Sequence, residues 1–259
     1  MKNKIINYVL DAIALISTAI AMPYLPEKVA MHFDASGAVD RYGSKYEMFI
    51  LPIILIIFNV VLELKVVRKA LYTDPDTREA QSAKNNAKVG SITVTAVSLV
   101  FVIMNFGLLY LGFIGADSVD MMPFDFIGLV CVALGFAIIV MGNYMPKTKE
   151  NSFIGFRCGW TRYNDVTWQK SNRFMAYAMM ISGAVSILGG LIFGGMTSAI
   201  ILFTSLTASL AASLIYAYVI YKKEKSRENK GIPEKKRRVY NIPCRFWSNR
   251  RNFHKPLVA

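Results

Sequence analysis

Six stretches of this chain stay apolar for about 20 residues each, at about 5–25, 46–67, 90–114, 124–145, 174–196 and 199–221. A hydrocarbon core roughly 30 Å thick needs about 20 helical residues to cross it, because a helix advances only about 1.5 Å per residue. Inside lipid every backbone N–H and C=O must find a partner within the protein, so a lone apolar run of this length crosses as a helix. The residue balance agrees: 54% of the chain is hydrophobic and only 18% is charged, so the apolar residues are concentrated in segments rather than spread over a soluble surface. The sequence therefore predicts an all-α, polytopic membrane protein with six transmembrane helices.

The basic residues orient it. With a cytoplasmic N-terminus, 27 of the 30 Lys and Arg fall on the inner side and only Lys28, Arg41 and Lys45 fall outside. Both termini are then cytoplasmic, and the net charge of +13 implies attraction to anionic inner-leaflet lipid rather than to nucleic acid. Lys2, Lys4 and the apolar run ending in Ala19-Ile20-Ala21 resemble a secretory signal, but Asp11 inside that run favours a retained span that faces a partner helix. Cys131 lies in a span and Cys158 and Cys244 on the cytoplasmic side, which predicts no disulfide.

The first outer loop, residues 26–45, reads as a small extracellular hairpin. Val29 to Phe33 suits a strand, Asp34-Ala35-Ser36-Gly37 a turn, and Tyr42-Gly43-Ser44 a second turn. About 20 residues bury no core of their own, so the hairpin is expected to pack on the helix ends. His32, Asp34 and Asp40 could hold a cation, but their spacing matches no standard site, and a polar hairpin tied by side-chain hydrogen bonds is the simpler expectation. Asn59 and Asn105, at membrane depth, are expected to make interhelical hydrogen bonds.

Residues 68–89 read as a solvated connector and "ADSVDMMPFD" as an outer loop without a distinctive signal. The last two spans, joined by "GGMTS", carry small residues every fourth position: Ser182, Ser186, Gly190 and Gly194 on one, Ser205, Ser209 and Ser213 on the other. Such stripes let helix backbones approach closely. From Lys222 the chain reads as a basic tail, disordered or lying along the membrane, whose Phe246, Trp247 and Phe253 alternate with arginines. Three units follow: residues 1–67 as a two-helix unit with the outer loop, 68–221 as a four-helix unit, and 222–259 as the cytoplasmic tail.

Catalytic patterns are missing: there is no H-E-x-x-H, no G-x-S-x-G and no phosphate-cradling glycine loop. The two histidines, His32 and His254, fall on opposite sides of the membrane. No enzyme activity, metal or cofactor is expected. The densest polar and aromatic stretch is instead residues 142–173, with Trp160 and Trp168 among six basic residues.

That stretch carries a resemblance. Gly142-Asn143-Tyr144-Met145-Pro146, Asn151, Gly155, Arg157, Trp160-Thr161, Trp168 and Asn172-Arg173 resemble the signature of the SdpI bacteriocin-immunity family of bacterial membrane proteins. The outer loop is similar to a domain of unknown function often found N-terminal to it, through Pro26, His32-Phe33, Gly37, Asp40-Arg41, Gly43-Ser44-Lys45 and Leu51-Pro52. Members commonly read R-T-P-W where this chain has Arg157-Cys158-Gly159-Trp160, a flexible glycine in place of a rigid proline. The resemblance implies a cell-membrane protein that protects its host from a secreted peptide toxin, and that also sequesters a cytosolic repressor protein at the membrane. On this view the inner loop is a partner-binding surface: Trp160 and Trp168 lie at headgroup depth, Arg157 pairs with a phosphate or carboxylate, and Asp165 caps the next helix. A small-solute permease and a non-catalytic scaffold subunit are the alternatives.

Overall fold

The computed structural model describes residues 2–62, 64, 78–148 and 155–231. Among the described residues six long helices carry the fold: α1 (Lys2–Ala21), α2 (Ile50–Leu62), α3 (Arg78–Phe113), α4 (Phe126–Tyr144), α5 (Asp165–Ile192) and α6 (Gly195–Asn229). With the short flanking turns included, each is long and apolar enough to cross a membrane. The expected all-α polytopic architecture is borne out.

Three helix ends differ from the sequence expectation. α3 begins at Arg78, inside the stretch read as a connector, and α5 begins at Asp165, inside the polar loop. α6 runs on to Asn229 where a tail was expected from Lys222, and stops before Gly231, whose φ of 67° is left-handed. For α3 and α6 the reason is shared. Hydropathy marks where a helix enters lipid, whereas "REAQSAKNN" and "KKEKSREN" are strong helix formers that prolong it into water. The remainder of the tail, from residue 232, lies outside the described residues.

Between α1 and α2 the chain forms β1 (Lys28–Phe33) and β2 (Val39–Ser44), an antiparallel pair with Lys28 opposite Ser44 and Phe33 opposite Val39. Tyr42 and Gly43 lie within β2 rather than in a second turn. The chain turns only after them, where Ser44 caps a short 3-10 helix, Lys45–Phe49, in a reciprocal box with Glu47. Leu25, Val29 and Met48 bury against Leu109 of α3, which seats the hairpin on the helix ends. The loop after α3 also joins it: Ala38 bridges Ser118, and the amides of Val39 and Val119 donate to the carbonyls of Asp117 and Gly37 at 2.8 and 2.9 Å.

α4 and α5 make the tightest interface, and glycine makes it possible. Gly128, Gly135 and Gly142 recur every seventh residue on α4 and meet Gly190, Gly183 and Ala176 on the antiparallel α5. A Cβ at Gly135 would sit 2.6 Å from the Gly183 carbonyl oxygen, and one at Gly142 would sit 2.8 Å from that of Ala176. Lipid supplies no hydrophobic drive between helices, so this close approach gains its energy from dispersion. The small-residue stripe expected to join the last two spans is therefore divided. Ser182 does face α6, contacting Ser209 Oγ at 2.5 Å and donating to the Ser205 carbonyl at 2.9 Å. Ser186 instead donates to the Cys131 carbonyl of α4 at 2.8 Å, and Gly190 faces Gly128. Ser213 bonds back to its own helix through the Ser209 carbonyl. Gly194 belongs to the turn before α6, with φ 63°.

Candidate functional site

The polar stretch between α4 and α5 is a loop folded onto the first turns of α5. Asn164 starts that helix: its side chain accepts from the Thr167 amide, and the Thr167 hydroxyl accepts from the Asn164 amide, both at 2.9 Å. The cap is thus Asn164, not Asp165, which is the first helical residue and exposed. Helical spacing then turns Thr167, Trp168, Ser171 and Asn172 to one inward face, and all four are buried.

Each ties down part of the loop. Trp168 Nε1 donates to the Thr148 carbonyl at 3.1 Å, holding the residues that follow the short helix Met145–Lys147 and its Pro146. Asn172 grips Phe156 by both ends, accepting from its amide at 2.7 Å and donating to its carbonyl at 3.4 Å. Gly155 passes so close that a Cβ would meet Asn172 Oδ1 at 2.7 Å, and its φ of 112° is one few other residues adopt. The Thr161 hydroxyl closes the next turn, accepting from the Cys158 amide at 2.9 Å and donating to its carbonyl at 3.1 Å.

The expected binding residues therefore separate into two sets. Gly155, Thr161, Trp168 and Asn172 are internal scaffold. Trp168 in particular is only 1% exposed, packed inside the protein, because α5 begins early enough to carry it inward. Asn143, Arg157 and Trp160 lie on the surface, and Arg173 is half-buried. Pro146 is half-buried at the start of the loop, and Asn151 lies outside the described residues.

The loop is clasped by the C-terminal part of α6, through Tyr218 and Tyr221 at the end of the sixth apolar run and through Glu224 and Glu228 in residues read as tail. Trp160 packs edge-on against Tyr218, and Tyr163 against Tyr221, each with ring centroids 5.0 Å apart. The Tyr163 hydroxyl donates to Glu228. Glu224 is fully buried between Lys170 at 3.7 Å and Arg227 at 3.2 Å. The two cations, each partly exposed, together compensate the buried carboxylate. Tyr218, Tyr221, Glu224 and Glu228 share one helical face, a spacing visible in the sequence once the helix is extended.

At the opposite end, the hairpin is tied by ion pairs and hydrogen bonds. His32 Nδ1 lies 2.6 Å from Asp40, Arg41 reaches Glu47 at 2.5 Å, and Lys45 reaches Glu27 at 2.9 Å. Asp34 spends its carboxylate on its own turn, accepting from the Ser36 hydroxyl and amide and the Ala38 amide. The Ser36 hydroxyl, with those amides, holds the Asp34 carboxyl below its usual range. Phe33 is half-buried and packs towards Leu111, while Gly43 is buried against Met31 and Glu47. Beside the hairpin, Asp125 Oδ1 accepts from the amides of Gly128 and Gly195 at 2.9 and 3.0 Å, capping α4 and α6 together. Next to it a cleft of about 370 Å³ is lined by Met122, Phe124, Phe126 and Phe193, with Asp120 and Asp125. The outer loop without a distinctive signal is thus a structural joint.

Together these features define a multi-pass membrane protein with a folded cap at each end of a helix bundle and no broken helix among the described spans. Residues 9–56 match a domain of unknown function, DUF1648, and residues 147–218 match the SdpI/YfhL protein family. The chain is similar to the Immunity protein SdpI of Bacillus subtilis (strain 168), 22% identical over 225 residues that cover 86% of this chain and 98% of that protein. The resemblance to the SdpI family is borne out, with the domain of unknown function at the N-terminal side. This is a multi-pass protein of a bacterial cell membrane. No solved structure matches it.

Proposed function

We propose that this chain is a membrane immunity protein that protects its producer from a secreted antimicrobial peptide. The observation that carries the proposal is the near full-length similarity to an immunity protein, with the family match falling on the clasped loop. Binding, rather than catalysis, is the mode: among the described residues the exposed groups named at both ends are ion pairs, aromatics and amides, with no activated nucleophile.

The hairpin end faces outward in this proposal, because the segments at the other end carry 27 of the 30 basic residues. A peptide arriving from outside meets His32, Asp40, Arg41 and Lys45 and the adjoining aromatic cleft. The clasped loop faces the cytoplasm, beside anionic lipid, where the surface carrying Asn143, Arg157 and Trp160 would meet a cytosolic repressor. Gly155, Thr161, Trp168 and Asn172 serve that surface by shaping it.

The test is paired. Labelling of single cysteines is expected to place residues near 35 and 118 outside and residues near 155 inside. Arg157→Ala with Trp160→Ala is expected to abolish repressor recruitment to the membrane, while Asp40→Ala with Arg41→Ala weakens survival under toxin more than recruitment. Both variants must reach the membrane in parental amounts. Lost protection with full recruitment in the Arg157/Trp160 variant would refute the inner loop as the signalling surface, and a sensitive strain gaining no survival from the parent chain would refute immunity.

A further inference from the structure

We propose that Asp11, Asn59 and Ser98 form a binding site for a small monovalent cation within the membrane, where α1, α2 and α3 meet. The three side chains come from three helices and touch: Asn59 Nδ2 donates to Asp11 Oδ1 and, at 3.3 Å, to Ser98 Oγ. All are buried, with relative exposures of 6% for Asp11, 4% for Asn59 and 0% for Ser98.

Two observations call for a ligand. The first is a carboxylate at membrane depth with no basic residue in ion-pair contact among the described residues. Lys4 and Lys88, the basic residues nearest along α1 and α3, lie about 10 and 15 Å from the cluster by helical rise. An ionised group in hydrocarbon is costly unless it is paired. The second is Asn59 Oδ1, which is buried without any hydrogen-bond partner. It shares a carbon with the nitrogen that touches both Asp11 and Ser98. Rotation about the terminal torsion, which is broad for Asn, exchanges the two atoms. Three oxygens, Asp11 Oδ1, Asn59 Oδ1 and Ser98 Oγ, then face one another, an arrangement that a bound cation stabilises.

The donor set fixes the class. Oxygen ligands without sulfur or imidazole suit hard ions, and a single carboxylate balances one positive charge, not two. A polar line along one face of α1 leads to the cluster: Thr95 Oγ1 donates to Asn7 on the loop side at 2.6 Å, and Thr18 contacts Asn105 on the hairpin side at 3.2 Å. The site lies in the N-terminal part of the chain and does not depend on the immunity proposal.

The experiment uses the purified full chain in detergent, melted in sodium, lithium, potassium or choline chloride at one ionic strength, with sodium-23 NMR line broadening as a second readout. The expected result is a saturable rise in melting temperature with at least one alkali cation over choline, lost in Asp11→Asn, which keeps the side-chain shape. Ser98→Ala removes one oxygen and is expected to raise the cation midpoint several-fold, and it supplies the test if Asp11→Asn does not accumulate. No saturable cation effect in the parent would overturn the proposal. So would an effect that survives in Asp11→Asn, or a choline-insensitive protein whose stability varies only with pH through Asp11, which would make the occupant a proton.

Discussion

Replacing Gly183 with alanine sets a methyl group where two helices already touch. A Cβ there lies 2.6 Å from the Gly135 carbonyl oxygen and 2.7 Å from Ile139 Cγ1. Carbon and oxygen settle no closer than about 3.3 Å, so α4 and α5 must part by roughly 0.7 Å. A gap of about 0.5–1 Å forfeits about a quarter to a half of each dispersion contact beside it, and overpacking of this kind costs about 1–3 kcal/mol. Alanine regains up to about 1 kcal/mol of helix propensity over glycine, which leaves a net loss of up to about 2 kcal/mol. Thermal melts of the detergent-solubilised protein measure it. Gly159→Ala is the control, since a Cβ there meets nothing within 4 Å, and it is expected to equal the parent or exceed it by up to about 1 kcal/mol. The Gly135→Ala/Gly183→Ala double variant should lose less than the sum of the two singles, because parted helices already have room for the second methyl. A Gly183→Ala protein melting at or above the parent would show that the seam is not tightly packed and refute the reasoning.

Asn172→Ala removes the clamp on Phe156 and leaves a buried amide unpaired, an expected loss of about 1–3 kcal/mol confined to the loop. Cys158, half-buried in that loop, should then react faster with a thiol reagent, and an unchanged rate would show that the clamp does not hold the loop. Asp34 should make the hairpin pH-dependent. Its carboxyl is held low by Ser36 and Ala38, so its stabilisation is fully present above the ordinary carboxylate range and fades as pH falls through the lowered value. The stability gap between the parent and Asp34→Ala should therefore narrow in acid, and a gap constant with pH would refute the assignment.

What the sequence by itself determined was whatever depends on transfer into lipid and on local chain chemistry. Six spans, the hairpin with its turn at Asp34, and the interhelical roles of Asn59 and Asn105 all follow from hydropathy, turn residues and the cost of polar groups in hydrocarbon. The glycine seam was also present, as a seven-residue recurrence on α4 and α5, but a stripe does not name its partner. Ser182 and Ser186 sit one turn apart and face different helices. Only the tertiary structure decided that, because packing depends on how three helices are arranged around one another. It also decided which polar loop residues are surface and which are scaffold. Trp160 and Trp168 look alike in a loop, yet one is 37% exposed and the other 1%, because α5 begins at Asp165 and its turn carries Trp168 inward. The part of the clasp made by Glu224 and Glu228 was hidden for a related reason. Hydropathy falls where a helix leaves the membrane, but backbone hydrogen bonding continues, so α6 extends past its apolar run and brings Glu224 to Lys170 and Glu228 to Tyr163.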